Sequence, residues 1–324
     1  MGGVSSEHEV SIASGTGVVQ NLDRTRYDVT PVTIALDGTW EFPDRPPMSI
    51  FAAVGHLERL APDGVFIALH GPFGEDGRIQ GMLDLLHIAY TSSGCAASAL
   101  AIDKLSSKAV VRDVGVPVAG HIAIEQRAWQ SNPDGALARI GTEVGFPCVV
   151  KSPCQGSSLG MAIPPSPQEF RESIEDIFQF GPVAMVEQFI SGTEVTCAVL
   201  DVEPGAAPRA LSLTEIRPVD STFFDYKAKY TPGASQEITP AEIAPAMTAE
   251  VQKMAVRAHR VLGCEIWSRN DFIIGKDGPV WLEVNTIPGM TPTSLYPQAA
   301  AEAGISYSEL VGLFVEAAIR RLSD

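Results

Sequence analysis

The stretch SRNDFIIGKDGPVWLEVN, residues 268–285, constrains the fold more than any other part of the chain. Two apolar-rich runs flank a break at Lys276, Asp277 and Gly278, the signature of two antiparallel strands joined by a tight turn. Successive strand side chains point to opposite faces, so Glu283 and Asn285 share a face while Leu282 and Val284 point into packing. A three-residue loop sets Asp271 opposite Glu283. Two carboxylates and an amide carbonyl make an all-oxygen set, suited to a hard cation such as Mg2+ that keeps waters and takes its other ligands from phosphates. No Cys or His joins them, which argues against zinc. The same residues would serve equally as a polar strand end facing water, and the hairpin alone leaves the two readings even.

The rest of the chain supplies the setting. Residues 9–22 suit a helix, 27–36 a strand, GVFIAL at 64–69 a short buried strand of the parallel type, and GRIQGMLDLLHI a helix. This alternation predicts an open parallel α/β unit over residues 1–92. A second, α+β unit over 93–186 contains a helix at 98–114, the strand GHIAI, a helix at 133–144, the strand PCVVKS, a helix at 167–179 and the strand VAMVEQFI. The third, 187–324, contains the strands EVTCAVLD and RALSLTEI, a helix at 245–262 and the hairpin. Its Pro/Gly/Tyr-rich excursion, 217–235, is long enough for a lid. A chain of 324 residues, 45% of them hydrophobic, can fill two or three cores.

A formal charge of -16 argues against nucleic acid or an anionic membrane as a general partner, so an anionic substrate needs a local basic pocket. Cys95, Cys148, Cys154, Cys197 and Cys264 form no CxxC pair and read as reduced thiols of a cytoplasmic protein. No run is apolar enough to span a bilayer, and no signal peptide is evident.

Several loops carry candidate chemistry. KSPCQGSSLG, 151–160, offers Lys151, glycines and the hydroxyls of Ser157 and Ser158; such a loop can cradle phosphate, although its order is not that of a Walker A motif and Gly-Ser loops are common. In DKLSSK, Lys104 and Lys108 share a helix face, which is ordinarily solvated. Glu187 and Glu194 in VEQFISGTEVT can bind a ribose hydroxyl or simply face water. HGPFGEDGRIQG, 70–81, follows a buried strand, where open α/β sheets bind ligands. His70 there reads as a hydrogen-bonder rather than a switch. In FFDYKAKY, Lys229 and Tyr230 point opposite ways on an extended chain.

GGVSSEHEVS, HGPFGEDGRIQG, SALAIDKLSSK, VVKSPCQGSSLGM, VEQFISGTEVT, FFDYKAKY, RNDF and EVNTIPGMTPTSLYP, taken in this order, strongly resemble the D-alanine:D-alanine ligases of the ATP-grasp superfamily, over nearly the whole chain. The resemblance implies a two-lobed ATP-grasp fold behind the N-terminal unit, with ATP clamped between the lobes. It implies Lys104, Lys151, Ser158 and Lys229 on phosphates, Glu187 and Glu194 at adenine and ribose, and Asp271, Glu283 and Asn285 on two Mg2+ or Mn2+ ions. The first D-alanine becomes an acyl phosphate, which the amine of the second attacks to give a dipeptide for peptidoglycan and the cell wall. Glu7 matches the holder of the first ammonium, Ser294 and Leu295 the segment for the second carboxylate, and Arg269 with the Gly289 N–H the oxyanion donors; His70 falls among the substrate-binding residues. Ser157 and Tyr230 match the groups that link with Glu7 to shut the lid. A homodimer is also implied.

The chain departs from the family pattern in places. It starts at a Gly-Gly turn that a strand normally precedes, so the N-terminal sheet is expected to lack its first strand. Ser152 separates Lys151 from Pro153, and Ile266 and Asn270 replace a more usual Gly and aliphatic residue around Arg269. The rivals are a ligase for another D-amino or D-hydroxy acid, against which Tyr230 weighs, and a nucleotide-binding homologue without catalysis, which would be expected to lack Arg269 or a metal ligand. A dinucleotide oxidoreductase would need a GxGxxG fingerprint, which is absent.

Overall fold

The structure, a computed structural model, describes residues 1–156, 159–218 and 235–323. Ser157, Ser158, Lys229, Tyr230 and nearly all of the expected lid lie outside the described residues.

The N-terminal part holds α1 (His8–Asn21), β1 (Thr33–Ile34), β2 (Trp40–Glu41), α2 (Ile50–Leu60) and α3 (Arg78–Leu85). Parallel pairing is present as bridges, Gly2 with Ile34 and Val65 with Tyr90, rather than as long strands. The strand expected over 27–36 is confined to Thr33–Ile34, since Pro31 brings no N–H to a ladder. At 64–69 hydroxyls take over the pairing: Thr91 Oγ1 accepts from Ile67 N–H at 3.2 Å, and Ser11 donates to the Ala68 carbonyl. Helix α1 accordingly buries Ser11, Ser14, Gly15 and Gly17 more than apolar bulk.

Next come α4 (Cys95–Ile102) and α5 (Lys104–Asp113). The helix expected over 98–114 is two helices, because Asp103 is extended at ψ 100 and its carboxylate caps α5 by accepting from Leu105 and Ser106 N–H. There follow β3 (His121–Glu125), α6 (Gln126–Ser131), α7 (Pro133–Glu143), β4 (Cys148–Lys151), β5 (Met161–Ala162), α8 (Pro167–Phe178) and β6 (Val183–Gln188). The strands form an antiparallel sheet in the order β3-β6-β4-β5, whose core joins Ile122, Val150 and Val186 to Phe170 and Ile174 of α8.

The last part contains β7 (Gly192–Asp201), β8 (Arg209–Pro218), β9 (Ser235–Ile238), α9 (Pro245–Val261), β10 (Ile266–Gly275), β11 (Gly278–Asn285), α10 (Leu295–Glu302) and α11 (Tyr307–Ser323). Its antiparallel sheet runs β11-β10-β7-β8-β9. The two-residue period sends Ala198 and Leu200 into a core with Trp267, Tyr296 and Phe314, and Val195, Cys197 and Val199 into another with Phe272, Trp281 and α9. Trp267 stacks on Phe314 at 4.5 Å and donates its indole N–H to the Thr91 carbonyl at 2.5 Å, tying the N-terminal part to the sheet.

The hairpin closes with Gly275 opposite Gly278, a two-residue loop and not the three-residue loop expected. Asp271 still lies opposite Glu283, because a bulge skips Leu282 between the Phe272–Trp281 and Asp271–Glu283 pairs. The two unusual residues are also accounted for. Asn270 is buried and accepts from the Trp281 indole at 2.9 Å. Ile266 sits at φ 65, where a β-branched side chain costs about 1–3 kcal/mol and glycine would cost nothing.

Phe314 has no exposed surface and closes the core behind β10. Phe314→Ala is expected to cost about 3–5 kcal/mol, read from urea unfolding with an unchanged slope.

Candidate active site

The basic pocket that an acidic chain requires is built from three lysines on two elements. Asp103 starts α5 so that Lys104 leads it, one turn before Lys108 on the same face. Lys104 Nζ donates to the Gln155 carbonyl at 2.8 Å and pairs with Glu283 at 2.9 Å, bridging α5, the 152–156 loop and β11. Lys108 pairs with Glu187 at 3.0 Å and also donates to the Trp281 carbonyl at 3.3 Å. Lys151, at the end of β4, pairs with the other oxygen of Glu187. The Lys104–Lys108 face is therefore buried, not solvated as such faces ordinarily are.

These contacts fix the charges. Burial alone would raise the Glu187 carboxyl, but Lys108 and Lys151 overcome it and hold it down to about 2. Burial pulls Lys108 below the ordinary lysine value against the pull of Glu187. For Lys104 burial acts in the same direction, and Glu283 reverses it to a net rise.

The oxygen set sits next to the pocket. Arg269 grips Asp271 with two bonds of 2.9 and 2.8 Å, and Asn285 Nδ2 donates to Asp271 Oδ2 at 3.1 Å. The Asp271 carboxylate outweighs burial and raises the Arg269 guanidinium above its ordinary value. Asp271, Glu283 and Asn285 thus fall within one face of the hairpin, and Lys104 and Arg269 already neutralise the two carboxylates. A hard divalent cation fits this donor set if waters and phosphate oxygens complete it. Among the described residues no group of three or more His, Cys, Asp or Glu side chains gathers as a ready-made metal cluster.

Glu7, buried just ahead of α1, lies against two glycines that line the cavity. A Cβ at Gly71 or Gly156 would stand 2.3 or 2.9 Å from its Oε2, so a larger residue at either place would push the carboxylate aside, and at Gly71 the φ of +69 favours glycine in addition. Glu75 accepts from Gly71 N–H and Ile287 N–H, both at 3.0 Å. Burial and the nearby Glu7 push its carboxyl up to about 7. His70 has both ring nitrogens engaged, Nδ1 with the Ile287 carbonyl at 2.9 Å and Nε2 with Ser14 Oγ at 2.8 Å, which leaves none to contact a substrate. Ser294 Oγ accepts from Thr291 N–H at 3.0 Å, and Leu295 begins α10. Gly289 faces Ser294 so closely that an added Cβ would meet its Oγ at 3.1 Å.

One cavity thus gathers Lys104, Glu283 and Asn285 with Gly71, Glu75 and Gly156. Glu187 belongs to the four-stranded sheet and Glu194, half-buried on β7, to the five-stranded one, so the two stand on different sheets. Sequence reasoning passed over Glu75 and the buried state of Lys108. Their signals were present: two acids among the glycines of HGPFGEDG, and a second lysine one turn after Lys104.

A family model described as D-ala D-ala ligase N-terminus matches residues 1–50 and 55–93, and one described as D-ala D-ala ligase C-terminus matches 110–316. The chain belongs to the D-alanine–D-alanine ligase family. It is 41% identical over 322 residues to the D-alanine–D-alanine ligase of Halalkalibacterium halodurans, covering 99% of this chain and 98% of that one. Among solved structures of the fold, the D-alanine–D-alanine ligase of Bacillus anthracis complexed with ATP superposes with a TM-score of 0.79 at 30% identity, covering 100% of this chain and 97% of that one. The VanG D-Ala:D-Ser ligase of Enterococcus faecalis superposes with a TM-score of 0.84, also at 30% identity, covering 98% and 97%. These relatives have the ATP-grasp fold.

Replacing Glu187 by glutamine leaves Lys108 buried without its charge partner, and Glu187→Gln is expected to cost about 3–5 kcal/mol at pH 7. Because the folded-state carboxyl lies at about 2 and its ordinary value is 4.5, this stability is present above pH 4.5 and lost as pH falls toward 2. Urea midpoints of protein and variant should therefore differ most above pH 4.5 and converge below it.

Proposed function

We propose that this chain joins two molecules of D-alanine at the expense of ATP, through an acyl phosphate, and so supplies a dipeptide for peptidoglycan. The observation that carries the reading is one cavity lined by Lys104 of the lysine cluster, by Glu283 and Asn285 of the oxygen set, and by Gly71 and Gly156, the glycines against which the Glu7 carboxylate lies. The ATP named with the Bacillus anthracis relative and the D-alanine named with every relative cited, VanG being named with D-serine as well, agree with it.

In this reading Lys104 and Lys151 exchange their carboxylate partners for ATP phosphates, with Ser158 and Lys229 assisting, while Glu187 and Glu194 hold the nucleoside. Mg2+ or Mn2+, held by Asp271, Glu283 and Asn285, would neutralise the phosphates. Glu7 binds the ammonium of the first D-alanine, whose carboxylate oxygen takes the γ-phosphoryl group and releases ADP. The amine of the second, oriented through its carboxylate by Ser294 and Leu295, then attacks the acyl carbon. Arg269 and the Gly289 N–H stabilise the tetrahedral oxyanion, and phosphate leaves as the peptide bond forms. Ser157 and Tyr230 close with Glu7 over the site, because an acyl phosphate hydrolyses when wet.

The proposal extends to the domain limits 1–92, 93–186 and 187–324, although β6 runs on to Gln188. It also includes a homodimer and a cytoplasmic setting. Five unpaired cysteines support the latter; among the described residues no helix is long and apolar enough to cross a membrane.

Phosphate release with Mg2+-ATP is expected with D-alanine and not with L-alanine or D-lactate, the product showing the mass of a D-alanine dipeptide. A mixed D-alanyl-D-serine product formed in preference would instead favour the VanG-like substrate. Arg269→Lys keeps the charge and loses the two-pronged grip. It is expected to lower kcat about 100-fold with ATP affinity changed less than about twofold.

A further inference from the structure

The segment Ile287-Pro288-Gly289-Met290 is held on both sides of the one N–H that the ligation reading needs. Ile287 N–H donates to Glu75 at 3.0 Å, and the Ile287 carbonyl accepts from His70 Nδ1 at 2.9 Å. Met290 N–H donates to Ser14 Oγ at 3.0 Å, and the Met290 carbonyl accepts from the Tyr307 hydroxyl. Pro288 fixes its own φ between them. Gly289 N–H itself has no acceptor among the described residues.

With a neutral His70 ring the protons of this network have one consistent arrangement. A carbonyl only accepts, so His70 Nδ1 carries the proton and Nε2 accepts from the Ser14 hydroxyl at 2.8 Å. With its proton given to His70, Ser14 Oγ offers a lone pair to Met290 N–H. Burial lowers the His70 pKa and favours this neutral ring. Glu75 completes the set from the same loop, with its second oxygen on Gly71 N–H.

We propose that Ser14, His70 and Glu75 are positioning residues that hold the Gly289 N–H at the oxyanion position of the ligation step, none of them touching the reacting atoms. The inference rests on the ligase reading above. Backbone donors act only when aimed at the place where charge develops. Here the aim is set from α1 and the 70–75 loop, across the cavity from the segment that carries Gly289.

The test uses the full chain and the variants Ser14→Ala and Glu75→Ala, the first removing a single hydroxyl as insurance should the second fail to fold. A misplacement of about 1 Å can cost about 100-fold in rate, so kcat for dipeptide synthesis should fall by that order while KM for ATP changes less than about twofold. The affinity for a phosphinate dipeptide, whose tetrahedral P–O stands for the oxyanion, should fall by a similar factor. Unchanged kcat and phosphinate affinity would overturn the proposal, as would an equal loss in ATP affinity. Hydrogen exchange of the 287–291 amides decides the matter without turnover: acceleration of about tenfold or more is expected in Ser14→Ala, and unchanged exchange refutes the clasp. Should the unmodified protein make no dipeptide, the ligase reading fails while the exchange result still judges the clasp.

Discussion

The bulge at Leu282 is the constraint on which the rest of the structure turns. In an unbroken strand Trp281, Glu283 and Asn285 would share a face, and either the indole would lie in the polar site or the carboxylate in the core. One extra residue reverses the parity. Phe272, Trp281 and Val284 pack into one core, while Arg269, Asp271, Glu283 and Asn285 share the other face, on which Glu283 and Asn285 line the cavity. The core side then tolerates a polar thread of its own: Trp281 donates to Asn270, Asn270 to Ser268 at 3.3 Å, and Ser268 meets His259 at 2.8 Å. That thread stabilises Asn270 where an aliphatic residue would ordinarily lie.

Charge follows the same logic of pairing before use. The chain carries a formal charge of -16, yet it buries Lys104 and Lys108 and half-buries Lys151 and Arg269 near one another, each held by a carboxylate. Buried cations without partners would be expensive. The carboxylates keep them charged and pre-aimed, so that in the proposed reaction an incoming polyphosphate would exchange one set of negative oxygens for another. Lys108, with no exposed side chain, differs from the other two lysines: its place between Glu187 and the Trp281 carbonyl makes it a fixed strut between β6 and β11.

Much of this was legible in the sequence wherever the signal was local. The hairpin, the opposition of Asp271 to Glu283, most helices and the main strands of the second and third parts could be read from period and punctuation. The loop length was misjudged by one residue and the bulge compensated for it, so the pairing was right for an incomplete reason. The strand at 27–36 is cut to two residues after Pro31, and the short parallel strand at 64–69 is reduced to a bridge at Val65, because the hydroxyls of Thr91 and Ser11, distant in sequence, take bonds at Ile67 and Ala68 that a ladder would have used. Asp103 split a helix by capping, a choice that apolar periodicity does not record. The burial of Lys108 and the bridging by Glu75 are tertiary facts, settled by what packs over them. Ile266 illustrates the remaining category: its identity is plain, but the left-handed backbone that strains it emerges only in the fold.

Helix α1 draws these observations together. Its buried face is lined with hydroxyls and glycines, a poor choice for packing but suited to touching backbone. Glu7 stands at its N-terminal boundary and Ser14 seven residues on, roughly 10 Å along a helix that rises about 1.5 Å per residue. One rigid element therefore spaces the carboxylate that meets Gly71 and Gly156 from the hydroxyl that meets His70 and Met290. If Glu7 holds the first substrate's ammonium and Gly289 serves its carboxyl carbon, the length of α1 sets the distance between those two grips. Polar residues along this face are then as constrained as a core, because each must satisfy a partner at a fixed height on the helix.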